Sequence, residues 1–304
     1  MSLMKIGLGT WAFGGRAYGP MDDSVALAVT QRAYDLGIRF FDTANVYAAG
    51  RSEEILGEAL ADRPDAQICT KIGYDISSGK AIKKYDIEFL ENALAISMKR
   101  LRRSQVDMLL LHNPPTEVLE REEIFNWLNL AVARGQIVHW GVSVYDSVSD
   151  AKLALAGGAQ AIEARYSLFR RDVIEDLKTS NWEFDFIARS PFDSGLLTGK
   201  YSGNETFPAT DHRSAMKKEV IQNYVKATAE FKALIANGTV HSLAELAIRF
   251  SAFGKNVNVV IPGAKSIEQL EANINAATKG PLPAPALELI EQVREKYFSE
   301  RTSI

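Results

Sequence analysis

The feature of this sequence that most restricts its fold is a regular alternation of short apolar runs with longer amphipathic segments. Eight runs have the length and composition of buried strands: residues 5–8, 39–41, 67–71, 106–111, 138–142, 161–164, 184–188 and 256–261. Segments with apolar residues at helical spacing lie between or after them: residues 24–36, 52–60, 87–101, 122–133, 147–156, 172–179, 242–253 and 267–276. Strands that alternate with helices pair in parallel, so eight such units predict a closed α/β barrel, the (β/α)8 TIM barrel.

Two further segments extend this barrel. The connection after the seventh strand, residues 190–242, is far longer than the usual few residues. Within it we expect a functional loop over one barrel end at residues 195–215 and a helix at residues 217–235. Residues 284–298 predict one extra helix at the C-terminus. No repeat or Pro/Gly-rich linker divides the chain, so we expect a single domain over residues 1–304.

Composition excludes several classes of protein. A hydrophobic content of 46% and a charged content of 24% are ordinary for a globular protein, and a net charge of −3 predicts no nucleic-acid partner. No apolar segment approaches the roughly 20 residues of a membrane span, and the N-terminus lacks a secretion signal. We therefore expect a cytoplasmic protein without a membrane partner. The histidines show no metal-ligand spacing, so we expect no metal site.

Two apparent nucleotide motifs fail on their surroundings. Residues 7–12 match the G-x-G-x-x-A dinucleotide pattern after a strand, but the following Phe-Gly-Gly-Arg-Ala-Tyr-Gly-Pro cannot form the required helix. Residues 195–201 resemble a P-loop, but they are one residue short between the glycines and end in Tyr201 instead of Ser or Thr. Neither a Rossmann domain nor a P-loop is expected.

Polar side chains at strand ends form the candidate site. Asp42 ends the second strand, and Tyr47 follows it on the loop before a helix. Lys71 ends the third strand and His112 follows the fourth. The C-terminal ends of neighbouring barrel strands face the same mouth, so these four residues are expected to converge there. Taken singly, each also has a structural interpretation: a carboxylate that fixes a loop, a packed phenol, a paired lysine and a core histidine.

Together these residues fit the reduction of a carbonyl group. A nearby ammonium favours the phenolate, so Lys71 is expected to lower the pKa of Tyr47 toward a useful proton donor. Asp42 would hold Lys71 charged and in place. His112 could donate a hydrogen bond to the substrate oxygen. No side chain supplies a hydride, so a nicotinamide cofactor is the expected source.

A longer series of motifs occurs in a specific order and spacing. The series is Gly7-Leu-Gly-Thr-Trp11, Phe41-Asp-Thr-Ala44 with Tyr47, Thr70-Lys71, Leu110-Leu-His112, Gly141-Val-Ser143, Ser190-Pro, Gly195-Leu-Leu-Thr-Gly-Lys-Tyr201, and Ile261-Pro-Gly-Ala-Lys265 with Gln269 and Asn273. In these motifs the sequence resembles the aldo-keto reductase superfamily over nearly its whole length. The resemblance implies a barrel that binds NADP(H), or alternatively NAD(H), without a Rossmann domain. It also implies that Tyr47 is the proton donor, that Lys71 and Asp42 adjust the pKa of Tyr47, and that His112 orients the substrate.

The resemblance further implies cofactor contacts along the barrel mouth. Ser143 would contact the nicotinamide carboxamide, residues 190–200 would wrap the pyrophosphate, and Lys265 would bind the 2′-phosphate. The full set of expected contacts is Thr10, Trp11, Asp42, Ser143, Glu163, Arg189, Ser190, Phe192, Gly195, Leu196, Lys200, Gly263, Lys265, Gln269 and Asn273.

Four positions depart from the family pattern. Val144 follows Ser143 where Asn is usual, and Glu163 stands where Gln is common and can accept but not donate a hydrogen bond. Arg189 replaces an aromatic residue that often stacks on the nicotinamide, and Ala272 replaces a usual Glu. We expect these changes to affect cofactor affinity and the choice of NADP over NAD, and to leave the proton chemistry intact.

Three functions follow from these residues. The leading hypothesis is an NADPH-dependent oxidoreductase that reduces an aldehyde, ketone or sugar-like carbonyl substrate. The alternative is a cofactor-binding regulatory or sensor protein on the same barrel, as with the ion-channel accessory subunits of this superfamily. The complete set of four catalytic residues favours the enzyme. A barrel lyase with Lys71 as a Schiff base is disfavoured because Asp42 should keep Lys71 protonated.

Overall fold

The structure is a computed structural model, and it describes residues 5–14, 18–19, 21–177 and 182–299. Strands within these ranges are, in chain order, β1 (Leu8–Gly9), β2 (Phe40–Asp42), β3 (Gln67–Ile72), β4 (Tyr74–Asp75), β5 (Ile82–Lys83), β6 (Val106–His112), β7 (Ile137–Ser143), β8 (Ala161–Arg165), β9 (Asp185–Arg189) and β10 (Val259–Ile261). β4 and β5 form a separate antiparallel hairpin. The other eight strands form one parallel sheet in the order β1-β2-β3-β6-β7-β8-β9-β10.

This sheet curls into a nearly closed barrel, which confirms the predicted (β/α)8 fold. Its first and last strands are joined by two isolated parallel bridges, Ile6 to Val260 and Gly9 to Gly263. Alternate residues of a strand face opposite sides of the sheet. One set fills the barrel interior with a small apolar cluster: Cys69, Met108, Leu110, Ala161, Ile187, Val259 and Ile261. The other set joins a larger core shared with the surrounding helices.

Helices surround the barrel. They are α1 (Asp23–Asp35), α2 (Arg51–Ala59), α3 (Ile87–Leu101), α4 (Thr116–Leu119), α5 (Glu122–Ala133), α6 (Val148–Ala156), α7 (Asp172–Leu177), α8 (Lys218–Ala229), α9 (Lys232–Ala236), α10 (Leu243–Ala252), α11 (Ile267–Thr278) and α12 (Ala284–Phe298). Several begin at a side chain that caps the first turn: the hydroxyls of Ser242 and Ser266 accept from the backbone N–H groups of Glu245 and Gln269. Ser242 therefore fixes the start of α10, before β10, and Ser266 fixes the start of α11, after it.

The predicted long connection and C-terminal helix are both present. After β9 the chain runs through short 3₁₀ turns before α8 and α9. The prediction of a single helix over residues 217–235 was wrong in detail. The chain turns at the fully buried Phe231, so this segment forms two helices, α8 and α9. Two salt bridges hold the C-terminal α12 in place: Arg171 with Glu291 at 2.6 Å, and Arg294 with Glu175 at 3.0 Å.

Other differences are local. The first strand was predicted over residues 5–8, but only Leu8–Gly9 pair continuously with β2. The hairpin of β4 and β5 and the short α4 were not predicted, since neither has a long periodic pattern. Residues 178–179, which end the predicted helix 172–179, lie outside the described residues.

Candidate active site

The strand register places the predicted residues around one end of the barrel. Asp42 is the last residue of β2 and pairs with Cys69, two residues before Lys71 on β3. His112 ends β6 and lies beside Ser143, which in turn lies beside Glu163 on β8. These C-terminal strand ends therefore form one rim, as expected for the mouth of a parallel barrel.

Lys71 lies at the centre of a buried ionic cluster. Its side chain is fully buried, and its Nζ donates a hydrogen bond to Asp42 Oδ2 and another, of 3.0 Å, to the backbone oxygen of Thr43. Glu163 Oε2 lies 3.2 Å from the same Nζ. Burial favours the neutral amine, but the charges of Asp42 and Glu163 outweigh burial and raise the pKa of Lys71 well above its usual value. Lys71 is thus charged, and it is shared by two carboxylates.

In the described residues, one group of side chains has its possible metal-ligand atoms close enough together to hold an ion. The group is Asp42, Glu163 and Cys69, whose ligand atoms lie within 4.8 Å of one another. The Lys71 ammonium already serves both carboxylates as their cation. Burial and the neighbouring charge of Glu163 raise the pKa of Asp42 well above its usual value. The cluster is therefore built around an ammonium held by two carboxylates, with the Cys69 thiol buried next to it.

Glu163 contacts Ser143 and Arg189 in addition to the Asp42–Lys71 pair. Ser143 Oγ donates to Glu163 Oε1 at 3.0 Å, and Arg189 Nε lies 3.8 Å from that oxygen. The contact of Glu163 with Lys71 was not predicted, because β8 and β3 are not neighbours in the barrel and the pair crosses its interior. The inward alternation of side chains along β8 was the signal that could have found it.

Tyr47 lies beside this cluster on a 3₁₀ turn. Its ring centre lies 5.3 Å from Lys71 Nζ, and the ring meets the imidazole of His112 edge-on at 5.8 Å and 82°. Burial raises the pKa of Tyr47. Lys71 opposes this effect, but Asp42 and Glu163 add to it. The expected direction of the Lys71 effect was correct, whereas the expected net lowering of the phenol pKa was wrong.

His112 is nearly buried between two phenol rings. It lies edge-on to Tyr47 and to Tyr74, whose ring centre is 5.1 Å away. Burial, followed by the charges of Lys71 and Arg189, lowers the pKa of His112 well below its usual value. The ring is therefore neutral near pH 7. Tyr85 donates to the His112 backbone oxygen at 2.7 Å and fixes the end of β6.

A cavity of about 310 Å³ opens next to Tyr47. Its walls come from four loops: Trp11, Phe13, Val46, Tyr47, Ala48, Ala49, Ile76, Gly79, Lys80, Ala81 and His212. Trp11 is 40% exposed, and its ring lies 4.6 Å from that of His212. The contribution of the β4–β5 hairpin was not predicted, and His212 was not named among the expected site residues, although it lies in the predicted loop. Residues of the long connection thus reach the mouth, as expected for residues 195–215.

The predicted cofactor residues fall into three groups. Ser143, Glu163 and Arg189 lie with the lysine cluster. Thr10 is fully buried: its hydroxyl donates to the Asp42 backbone oxygen at 2.8 Å and accepts from Ser52 at 2.7 Å. Thr10 therefore supports Asp42 from behind and presents no exposed side-chain atom to the mouth.

The second group lies after β9. Ser190 and Gly195 have positive φ values of 57° and 91°, so the chain turns sharply there. Leu196 is buried and Phe192 packs against the core, whereas Lys200 is exposed. The side chain of Leu196 is thus part of the core, which leaves its backbone as the part available to a ligand.

The third group follows β10. Asn273 Nδ2 donates to the Gly263 backbone oxygen at 3.3 Å, and Gln269 Oε1 accepts from the Lys265 backbone at 3.0 Å. Lys265 Nζ donates to the backbone oxygen of Tyr18 at 2.7 Å. A side chain at Gly263 would have only the Gly9 oxygen near it, at 3.6 Å, so the chain is open to contact there.

Unsatisfied polar atoms mark the mouth as a ligand site. His112 Nδ1 and Asn113 Oδ1 are buried and have no hydrogen-bond partner within the described parts of the chain. Buried polar atoms are normally hydrogen-bonded, so such exceptions call for an explanation. An imidazole nitrogen and an amide oxygen next to Tyr47 and Ser143 fit a ligand with a carbonyl or carboxamide group. The residues present therefore fit a nicotinamide cofactor and a carbonyl substrate.

Comparison with known proteins identifies the family. Residues 5–295 match the aldo/keto reductase family. The chain belongs to this family. A probable voltage-gated potassium channel subunit beta from Arabidopsis thaliana is 30% identical over 96% of this chain and 93% of that protein. The aldo-keto reductase yakc [NADP(+)] of Schizosaccharomyces pombe is 27% identical over 85% of this chain and 79% of that protein.

A solved structure supports the same assignment. The glycerol dehydrogenase of Gluconobacter oxydans superposes with a TM-score of 0.83 at 26% identity, covering 98% of this chain and 94% of that one. Aldo/keto reductases act on small carbonyl substrates and typically use NADP(H), so these likenesses support an oxidoreductase. Among the helices of the described residues, none has the length and apolar content to traverse a lipid bilayer.

Proposed function

We propose that this aldo/keto reductase is an NADPH-dependent enzyme that reduces an aldehyde, ketone or sugar-like carbonyl to the alcohol. The observation that carries the proposal is a phenol, Tyr47, that lines a cavity and lies beside both a charged Lys71 and a neutral His112. The NADP(+) in the name of the yeast relative and the glycerol dehydrogenase among the solved structures support this cofactor and this substrate class.

In the proposed mechanism Tyr47 donates its phenolic proton to the carbonyl oxygen. Burial makes the free phenol a weak acid, but the substrate oxygen becomes a strong base as negative charge develops on it during reduction. The Lys71 ammonium stabilises the phenolate that remains. Asp42 and the Thr43 backbone oxygen hold that ammonium in place. The nicotinamide cofactor, when bound, supplies the hydride.

His112 contributes as a neutral hydrogen-bond donor. Its lowered pKa leaves one ring N–H, which can point at the carbonyl oxygen and stabilise charge without competing with Tyr47 as an acid. The resident cofactor would be held by Ser143 and Glu163 at the carboxamide, by residues 190–200 at the pyrophosphate and by Lys265 at the 2′-phosphate.

The Tyr47→Phe variant tests the mechanism. It keeps the ring and removes the proton, so carbonyl reduction should fall by about 10²–10⁴-fold while the Kd for NADPH, measured by fluorescence quenching, stays nearly unchanged. Tyr34→Phe is the matched control, since Tyr34 lies on α1 and bonds to Asp65 on the outside of the barrel. Comparable turnover by Tyr47→Phe and the wild type would eliminate Tyr47 as the donor.

A second function has an observation in its favour. The Arabidopsis relative is a probable potassium channel subunit, so we also consider a cofactor-binding regulatory protein with little turnover. NADPH consumption over a broad panel of aldehydes, ketones and sugars separates the two. Measurable turnover that depends on Tyr47 supports the enzyme, whereas tight NADPH binding without turnover on any of the panel supports the regulatory protein.

A further inference from the structure

Lys71 is held from two sides of the barrel. Asp42 contacts it from β2, and Glu163 contacts it at 3.2 Å from β8, with β6 and β7 between β3 and β8 in the sheet. Glu163 is only 1% exposed, and Ser143 fixes its other oxygen at 3.0 Å. A buried carboxylate needs a cation or several donors to offset its desolvation. Lys71 and Ser143 meet that need together.

We propose that Glu163 is a positioning residue that holds Lys71 from across the barrel and adds a second negative charge to the proton-transfer site. The proposal rests on the proposed function, in which Lys71 acts on Tyr47. It assigns Glu163 a role beyond contact with the cofactor. Each carboxylate oxygen accepts more than one hydrogen bond, so contact with a carboxamide stays available.

The charges around Glu163 determine the effect on proton transfer. The ionisable groups that face the cluster are Asp42, Lys71, Tyr47, Cys69, His112 and Arg189. The negative charge of Glu163 offsets part of the stabilisation that the Lys71 ammonium would give to a Tyr47 phenolate. The pKa of Tyr47 is therefore higher with Glu163 present. Arg189 opposes this only in part, because it lies 3.8 Å away and its side chain is 19% exposed to water.

A weaker phenol has a stronger conjugate base. With Glu163 charged, the site is a poorer proton donor for reduction near pH 7 and a better proton acceptor for alcohol oxidation at alkaline pH. Glu163→Gln keeps the shape of the side chain and the Ser143 bond but removes the charge. It should therefore shift the alkaline rise of alcohol oxidation to lower pH by roughly one pH unit.

The first experiment does not depend on turnover. Because burial and Glu163 raise the pKa of Asp42 in the folded state, the wild type should lose stability as pH rises from acid toward that raised value. Glu163→Gln removes one cause, so the variant should lose less stability than the wild type as pH rises, and the difference between their urea midpoints should change with pH in favour of the variant. Glu271→Gln is the control, since Glu271 is an exposed partner of Arg32 on the helix layer and its curve should run parallel to the wild-type curve.

The second experiment measures pH–rate profiles with glyceraldehyde and NADPH, and with glycerol and NADP⁺. The shifted alkaline rise of alcohol oxidation supports the proposal, whereas a uniform loss of kcat without a pH shift overturns it. Parallel urea curves for Glu163→Gln and the wild type also overturn it. If the wild type turns over neither probe, the proposed function fails for this substrate class, and the urea curves alone decide whether Glu163 acts on the cluster.

Discussion

Replacing Lys71 by Met tests the ionic cluster most directly. The substitution removes the ammonium and leaves the carboxylates of Asp42 and Glu163, which are 3% and 1% exposed, without their shared cation. Breaking a buried ion pair by removing one partner costs about 3–5 kcal/mol, because the other charge stays buried. Here two carboxylates are left, so we expect a cost of at least this size at neutral and alkaline pH.

The expected change in melting temperature follows from the length of the chain. At an unfolding entropy of about 2.1 cal mol⁻¹ K⁻¹ per residue, 304 residues give about 0.64 kcal mol⁻¹ K⁻¹, so the loss corresponds to about 5–8 °C in Tm. The loss should be smaller at pH 5 than at pH 8, because burial and Glu163 already raise the pKa of Asp42 and it takes up a proton as pH falls.

Circular dichroism melts at pH 5 and pH 8 measure both effects. Asp42→Asn in the Lys71→Met background removes one of the two stranded charges, so the double variant should regain part of the lost Tm at pH 8. A Tm for Lys71→Met within about 1 °C of the wild type at pH 8, well below the 5–8 °C expected from an ionised cluster, would refute the reasoning. An equal loss at both pH values would refute the assignment of the pH dependence to the carboxylates.

Two further predictions concern ligands. His112→Phe keeps an aromatic ring between Tyr47 and Tyr74 but removes the donor, so kcat for carbonyl reduction should fall by about 10²–10³-fold, while the NADPH Kd stays unchanged. Stopped-flow turnover measures kcat, and fluorescence quenching measures the Kd. A retained kcat would exclude His112 as a donor to the substrate. Lys265→Met should weaken NADPH binding by about 10- to 150-fold, the equivalent of one charged hydrogen bond, and leave NADH binding nearly unchanged. Titration calorimetry measures both affinities. Equal weakening of both cofactors would show that Lys265 acts through its bond to the Tyr18 backbone and not through a 2′-phosphate.

The sequence predicted the parts of the molecule that depend on periodic patterns. The eight apolar runs became the eight barrel strands, and the residues at their C-terminal ends, such as Asp42 and Lys71, meet at one rim because parallel pairing leaves no other arrangement. The β4–β5 hairpin was missed because its strands are two residues long. The net pKa shift of Tyr47 was also missed, since it depends on burial and on Glu163, and neither can be read from residues 42–71 alone.

The two departures at positions 163 and 189 are better understood together than apart. Taken from the sequence, Glu163 lacks the amide donor and Arg189 lacks the stacking ring of the family pattern, so each change by itself is expected to affect cofactor affinity. In the structure Arg189 Nε lies 3.8 Å from Glu163 Oε1, and Arg189 Nη2 donates to the Val144 backbone oxygen at 3.0 Å. An extra buried carboxylate would be costly without nearby positive charge, and Arg189, on the neighbouring strand, adds to the charge that Lys71 supplies. The glutamate and the arginine therefore act as a pair that makes a carboxylate tolerable next to Asp42 and Lys71.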